Sequence, residues 1–213
     1  MDKLEITGLR IYPVKSMAGI ELNEAVLTAE GFQHDRRFMV VREEGAFVTQ
    51  RDLPKLALIQ TGIENGSIRL SRPGFGEVTL PTDHLQGDMI HTKVWGDHCE
   101  TVDQGEEIAH WLQSALECQN SLRLVRMKPG FQRPQNRPEL LGENTTTFFA
   151  DAAPYLVTNE ASLDALNQAL VAGGHRAVPM NRFRPNIIVR GLEAFDEHRL
   201  SRLEGEGLRL GFC

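Results

Sequence analysis

Apolar and polar residues alternate along the first half of the chain at a period near two, the spacing of half-buried strands. Leu4, Ile6, Leu9 and Ile11 predict an opening strand that stops at Pro13, which has no N–H to give to a ladder. A loop, Val14-Lys15-Ser16-Met17, follows, then a short strand over Ile20 to Leu27 and a turn at Glu30-Gly31. Phe38 to Val41 reads as a strand that enters a hairpin at Glu43-Glu44-Gly45 and returns through Phe47 to Thr49. The strongest hairpin signal is Asn65-Gly66 between Ile63 and Ile68, because that dipeptide supplies the positive φ angles of a two-residue turn. Val78, Leu80 and Thr92 to Trp95, with a turn at Gly96-Asp97, carry the pattern to Val102.

The period then changes. Ile108, Trp111, Leu112, Ala115 and Leu116 recur at three- and four-residue steps behind Asp103, a candidate cap, which predicts an amphipathic helix with Trp111 in the core. Leu122 and Leu124 return to a strand. Lys128 to Asn144 has no periodicity and is rich in Pro, Arg and Asn, a connection longer than compact domains usually carry. With Arg126, Lys128, Arg133 and Arg137 it is locally basic, which suits either a solvated loop or an approach path for an anion. Tyr155 to Val157 predicts a strand, and Thr158-Asn159-Glu160 caps a helix with Leu163, Leu166 and Leu170 on one face, ended by Gly173-Gly174. Ile187-Ile188-Val189 reads as a buried strand, and a last strand begins near Gly207. The expectation is a mainly β chain with α+β elements and no internal repeat.

Composition narrows the function classes. With 213 residues, 41% hydrophobic and 24% charged, the chain has room for one large or two small globular domains. A net charge of −6 argues against general nucleic-acid binding, so any anion site is local. No apolar run of about 18 residues and no secretory layout is present, and a cytoplasmic location with no membrane partner is expected. Cys99, Cys118 and Cys213 form no Cys-x-x-Cys, and the histidines form no His-x-x-x-His, so neither a disulfide framework nor a zinc site is expected.

Three places set basic or hydroxyl groups on a constrained backbone: Lys15-Ser16 after Pro13, Asp35-Arg36-Arg37 at the start of a strand, and Arg182-Phe183-Arg184-Pro185-Asn186. Pro185 restricts Arg184 and predicts an extended, pre-set backbone there, suited to anion recognition; a surface loop whose arginines pair with local carboxylates is the other reading.

These three, with Tyr12 to Met17, Asp35 to Val40, Val94-Trp95-Gly96 and Pro154-Tyr155-Leu156 through Leu163, resemble in one order the MOSC-domain molybdenum-cofactor proteins. In that family the MOSC domain follows a MOSC N-terminal β-barrel domain, and the group takes in the mitochondrial amidoxime-reducing component. The resemblance covers nearly the whole chain. It implies a β-barrel-like N-terminal domain over 1–125 and a MOSC domain over 126–213, incomplete at its C-terminus. It implies a molybdenum cofactor (molybdopterin) with a terminal phosphate; pyridoxal phosphate is not expected. Lys15, Ser16, Arg36, Arg184 and Asn186 map to the cofactor, with main-chain groups of Asp151, Ala152 and Ala153 closing the pocket, while Arg37 and Arg182 hold its shape.

The activity implied is reduction of N-hydroxylated compounds, amidoximes and hydroxylamines among them, with electrons from a separate iron–sulfur or cytochrome-type partner. A non-catalytic cofactor or sulfur-carrier protein, and a β-rich interaction domain, remain as other readings. The family's metal-ligating cysteine sits in a Pro-Cys-x-Arg-Cys segment just after the strand that here runs to Cys213, so the ligand is expected beyond it, with Cys213 as the substitute metal ligand. Replacing Arg184 or Lys15 by Ala is expected to lower cofactor retention and leave the fold nearly intact.

Overall fold

The computed structural model describes residues 4–133, 146–205 and 208–211. In chain order come β1 (Glu5–Ile11), β2 (Ile20–Leu22), β3 (Leu27–Thr28), β4 (Gly31–Phe32) and β5 (Phe38–Arg42). A 3-10 turn over Pro54–Leu58 leads to β6 (Gln60–Glu64), β7 (Ser67–Ser71), β8 (Glu77–Pro81), β9 (Met89–Val94) and β10 (Asp97–Asp103). Helix α1 (Glu106–Leu116) and β11 (Leu122–Met127) follow, then β12 (Val157–Asn159), α2 (Glu160–Ala172) and β13 (Ile187–Arg190). The hairpin β14 (Arg202–Gly205) and β15 (Leu208–Gly211) comes last. The chain is therefore mostly strand with two helices among the described residues, as its periodicity predicts.

The central antiparallel sheet has the order β5-β11-β10-β9. Both its faces are covered, which explains the unbroken apolar run Phe38-Met39-Val40-Val41. Phe38, Val40, Leu122 and Leu124 face the α1 side chains Ile108, Leu112 and Leu116 and the hairpin residues Ile68, Leu70 and Leu80. Met39, Val41, Val125 and Met127 face Phe148 and Phe149. Trp111 packs at the edge of the first cluster and donates from Nε1 to the Phe75 carbonyl at 3.0 Å, a core role as expected. The β6-β7-β8 meander turns at Asn65 (φ 49°) and Gly66 (φ 74°), as that dipeptide requires.

A second sheet, ordered β12-β13-β1-β2, ties the two halves of the chain together. β1 runs antiparallel to β13 with Leu9 opposite Ile187, and the Arg10 N–H extends the ladder to the Asn186 carbonyl at 2.9 Å. The residues that leave β1 therefore lie beside those that enter β13. This register brings Tyr12 to Ser16 next to Arg184 to Asn186.

Several local expectations shift. The expected strand over Ile20 to Leu27 is two pieces, β2 and β3, and β14 falls in a segment with no clear alternation. The strand expected at Tyr155 begins at Val157. Asp103 is not the cap of α1: Gly105 is, at φ 97°, and the Asp103 carboxylate accepts its N–H at 3.2 Å. Asn159 does cap α2, accepting the Ala161 N–H. The turn expected at Gly96-Asp97 sits one residue earlier, because Val94 pairs with Asp97 and leaves Trp95-Gly96 between them. No described helix is long and apolar enough to cross a membrane.

Candidate functional site

A cavity of about 430 Å³ opens where β1 ends, β5 begins and β13 is entered. Lys15, Ser16, Arg36, Asp151, Ala152, Ala153, Arg184 and Asn186, gathered from four separated segments, all line it. Cys213 lies outside the described residues. Among those described, no cluster of His, Cys, Asp or Glu could hold a metal. Burial pushes the Cys99 thiol up to about 11, mainly by desolvation, so that sulfur is an inert core group at neutral pH.

Arg36 is a cross-link. Its Nη1 donates to Asp35 at 2.5 Å and to Asn186 Oδ1 at 2.8 Å, its Nη2 donates to the Arg184 carbonyl at 2.9 Å, and its guanidinium lies 4.5 Å from the Tyr12 ring centroid. Asp35 is buried; desolvation raises its pKa against the pull of Arg36. Asn186 is spent on the same junction, since it also accepts the Leu156 N–H at 3.2 Å and donates to the Arg10 carbonyl at 3.2 Å. Its position at the cavity wall is structural.

Lys15 is also engaged. Its ammonium donates to the Phe149 carbonyl at 2.8 Å and to Asp151 at 2.6 Å, and burial lowers its pKa while Asp151 opposes the shift. Asp151 itself is largely exposed; desolvation works against its carboxylate, but Lys15 and the Trp95 N–H outweigh this and hold its pKa below the usual value. Lys15→Ala would leave the Phe149 carbonyl without its donor, so the expectation that it spares the fold is corrected: removal costs about 1–3 kcal/mol.

Arg184 differs from the sequence expectation too. Its φ is 57°, left-handed rather than extended, because its N–H closes the 3-10 turn Met180–Arg182 onto the Asn181 carbonyl at 3.2 Å. The proline that follows excludes a right-handed helix but not this conformation. Nη1 donates to the Met17 carbonyl at 2.5 Å and the guanidinium stacks 4.1 Å from the Tyr12 centroid. Nη2 is buried with no partner among the described residues. Desolvation first, then the neighbouring Arg36, lower the Arg184 pKa to about 10.

Strain converges on the same place. Of the eight non-glycine residues with positive φ among those described, Ser16 (71°), Arg36 (45°), Trp95 (55°) and Arg184 (57°) line this one cavity. Each such residue costs about 1–3 kcal/mol, and clusters of them mark binding sites. Ser16, Asp151, Ala152 and Ala153 also keep amide N–H groups with no acceptor among the described residues. An orphaned guanidinium nitrogen, amides with no acceptor among the described residues, and the lining cations Lys15, Arg36 and Arg184 against the Asp35 and Asp151 carboxylates fit a phosphate-bearing ligand.

Arg37 and Arg182 stay out of the cavity: Arg37 stacks 3.8 Å from the Phe148 centroid and Arg182 is exposed. Of the basic stretch, residues 134–144 lie outside the described residues, and the cations described are Arg126, Lys128 and Arg133. Lys128 pairs with Glu100 at 2.7 Å. Arg133 is 2% exposed, bonded to Asp97 at 2.8 Å and to the Phe148 and Ala150 carbonyls at 3.0 and 2.7 Å. Arg126 is buried, its Nε and Nη1 without a hydrogen-bond partner among the described residues, and Arg137 lies outside the described residues. Sequence reasoning left out Arg51, Trp95 and Phe183, which line the cavity; only the Trp-Gly pair at a hairpin tip carried a signal for one of them.

The MOSC N-terminal beta barrel domain matches residues 3–119 and the MOSC domain matches residues 127–211, so the chain belongs to the MOSC family. It is similar to mitochondrial amidoxime reducing component 2 of Bos taurus, 34% identical over 200 residues that cover 90% of this chain and 58% of the relative. Mitochondrial amidoxime-reducing component 1 of Mus musculus is 35% identical over 90% of this chain and 57% of its own length. The Homo sapiens component 1 is 33% identical over 90% and 58%. The chain thus spans a little over half the length of these curated relatives.

Proposed function

We propose that the protein holds a molybdenum cofactor in this cavity and serves the reduction of N-hydroxylated compounds, amidoximes first among them, with electrons delivered by a separate iron–sulfur or cytochrome-type protein. The observation that carries the reading is Arg184 Nη2, a buried donor with no partner among the described residues, beside Lys15 and Arg36 in a chain that carries a MOSC domain. Arg184 would donate to the cofactor's phosphate, Ser16 and the amides of Asp151 to Ala153 would complete the cradle, and Lys15 and Arg36 would add field from fixed positions. Asn186 would hold Arg36 in place. When bound, the cofactor supplies the two-electron chemistry that cleaves an N–O bond, yielding the amidine and water from an amidoxime, two electrons and two protons. The chain's part is to bind, orient and shield. The division at 1–125 and 126–213 remains part of this proposal, as does a cytoplasmic location.

The test is molybdenum and pterin analysis of the full-length purified protein, followed by benzamidoxime reduction with reduced viologen as electron donor. Metal and pterin together with benzamidine formation support the reading. Metal and pterin without reduction would make the protein a cofactor carrier, and the absence of both would refute it.

A further inference from the structure

The strain at Ser16, Arg36 and Arg184 sits where the phosphate cradle is proposed, but that at Trp95 does not. Trp95 opens the two-residue turn between β9 and β10 at φ 55°, a position that Asn or Gly fills at least cost and a bulky aromatic rarely occupies. The residue is 46% exposed at the cavity wall. It is nevertheless pinned: Nε1 donates to Asp151 at 3.1 Å, and Phe47 meets it edge to face with centroids 5.3 Å apart. What lies over the ring is the guanidinium of Arg51, 5.7 Å from the centroid. Arg51 is exposed, and its side chain makes no ion pair or hydrogen bond among the described residues. The fold therefore holds an indole in a costly conformation and covers it with a loosely tethered, flat N–C–N cation.

That cation has the shape of the reacting group. An amidoxime and its amidine product share the planar carbon with two nitrogens that a guanidinium carries, whereas an alkylhydroxylamine has a pyramidal nitrogen and no such plane. We infer that the Trp95 face seats the amidine-type head of N-hydroxylated substrates and that Arg51 is a built-in competitor for the same seat. The inference rests on the reductase reading above. Asp151, fixed by Lys15, sets the orientation of the seat through the indole N–H.

The two residues should respond in opposite directions. Benzamidine and N-methylhydroxylamine are titrated calorimetrically into the full-length protein, with molybdenum content and unfolding temperature measured for each variant. Trp95→Asn, which restores an Asn-Gly turn, should weaken benzamidine binding about fivefold without lowering the unfolding temperature. Arg51→Ala should tighten it by about two- to fivefold. N-methylhydroxylamine affinity and molybdenum content should stay unchanged in both. Weaker benzamidine binding in Arg51→Ala, equal loss of both ligands in Trp95→Asn, or loss of molybdenum in either variant would overturn the inference. Benzamidine binding by the unmutated protein without benzamidoxime reduction would fail the reductase reading and leave the seat; reduction without benzamidine binding would do the reverse.

Discussion

Arg133 and Arg184 both bring a guanidinium out of solvent and donate to main-chain carbonyls, yet their surroundings differ in one respect. Arg133 has an ion-pair partner in Asp97 and carbonyls at Phe148 and Ala150, which ties β10 to the segment behind the cavity. Arg184 has no carboxylate within ion-pair distance among the described residues, a second cation beside it, and an unbonded buried nitrogen. A buried charge with a full set of partners is a tie within the fold. One left partly unpaired next to its own kind costs stability and lowers its own pKa, which an arriving oxyanion would repair.

The largest effect expected from this contrast is on Arg133. Arg133→Ala strands Asp97 and two carbonyls, and should cost about 3–5 kcal/mol, a fall in unfolding temperature of about 10 °C in thermal denaturation. A fall of only a degree or two, with cofactor lost, would erase the distinction. Arg184→Met keeps most of the packing on Tyr12 while removing the charge. It should speed cofactor dissociation at least about tenfold, since a charge-assisted bond contributes about 1.5–3 kcal/mol; because removing an unpaired buried charge offsets the donor lost to the Met17 carbonyl, the unfolding temperature of the cofactor-free protein should stay within about 2 °C.

The third effect is a pH dependence of both quantities. Arg184 must carry its proton to hold an oxyanion, so affinity for the phosphate-bearing ligand should fall as pH rises through about 10, and this fall should be missing in Arg184→Met. Because the folded pKa lies below the unfolded one, the unfolded chain binds more protons in that range. The ligand-free fold should therefore gain stability from Arg184 over the same rise, read as denaturation midpoints between pH 9 and pH 11 (about one unit either side). The smallest effect is Ser16→Gly: removing the side chain from a φ of 71° relieves strain and should raise stability by at most about 1 kcal/mol while weakening ligand retention.

Much of the fold was legible because it follows periodicity. The Asn65-Gly66 hairpin, the α1 face and the Asn159 cap each rest on a local rule that tertiary structure left undisturbed. The cavity's makeup was legible only through motif order, since no spacing rule links Lys15 to Arg184; the register of β1 on β13 does that. Three features were hidden. Arg133 sits in a Pro- and Arg-rich stretch that reads as solvated, and its partner Asp97 is on a distant strand. Arg184 takes a left-handed backbone imposed by the 3-10 turn before it. Trp95 violates the preference by which turns are recognised, so the hairpin tip was placed one residue late.

The most direct measurement is the molybdenum and pterin content of the purified full-length protein beside Arg184→Met and Arg133→Met, each checked for unfolding temperature. The account predicts bound metal and pterin in the unmutated protein, loss of both from Arg184→Met with the unfolding temperature of the cofactor-free forms unchanged, and a destabilised Arg133→Met. Full cofactor content in Arg184→Met would contradict it.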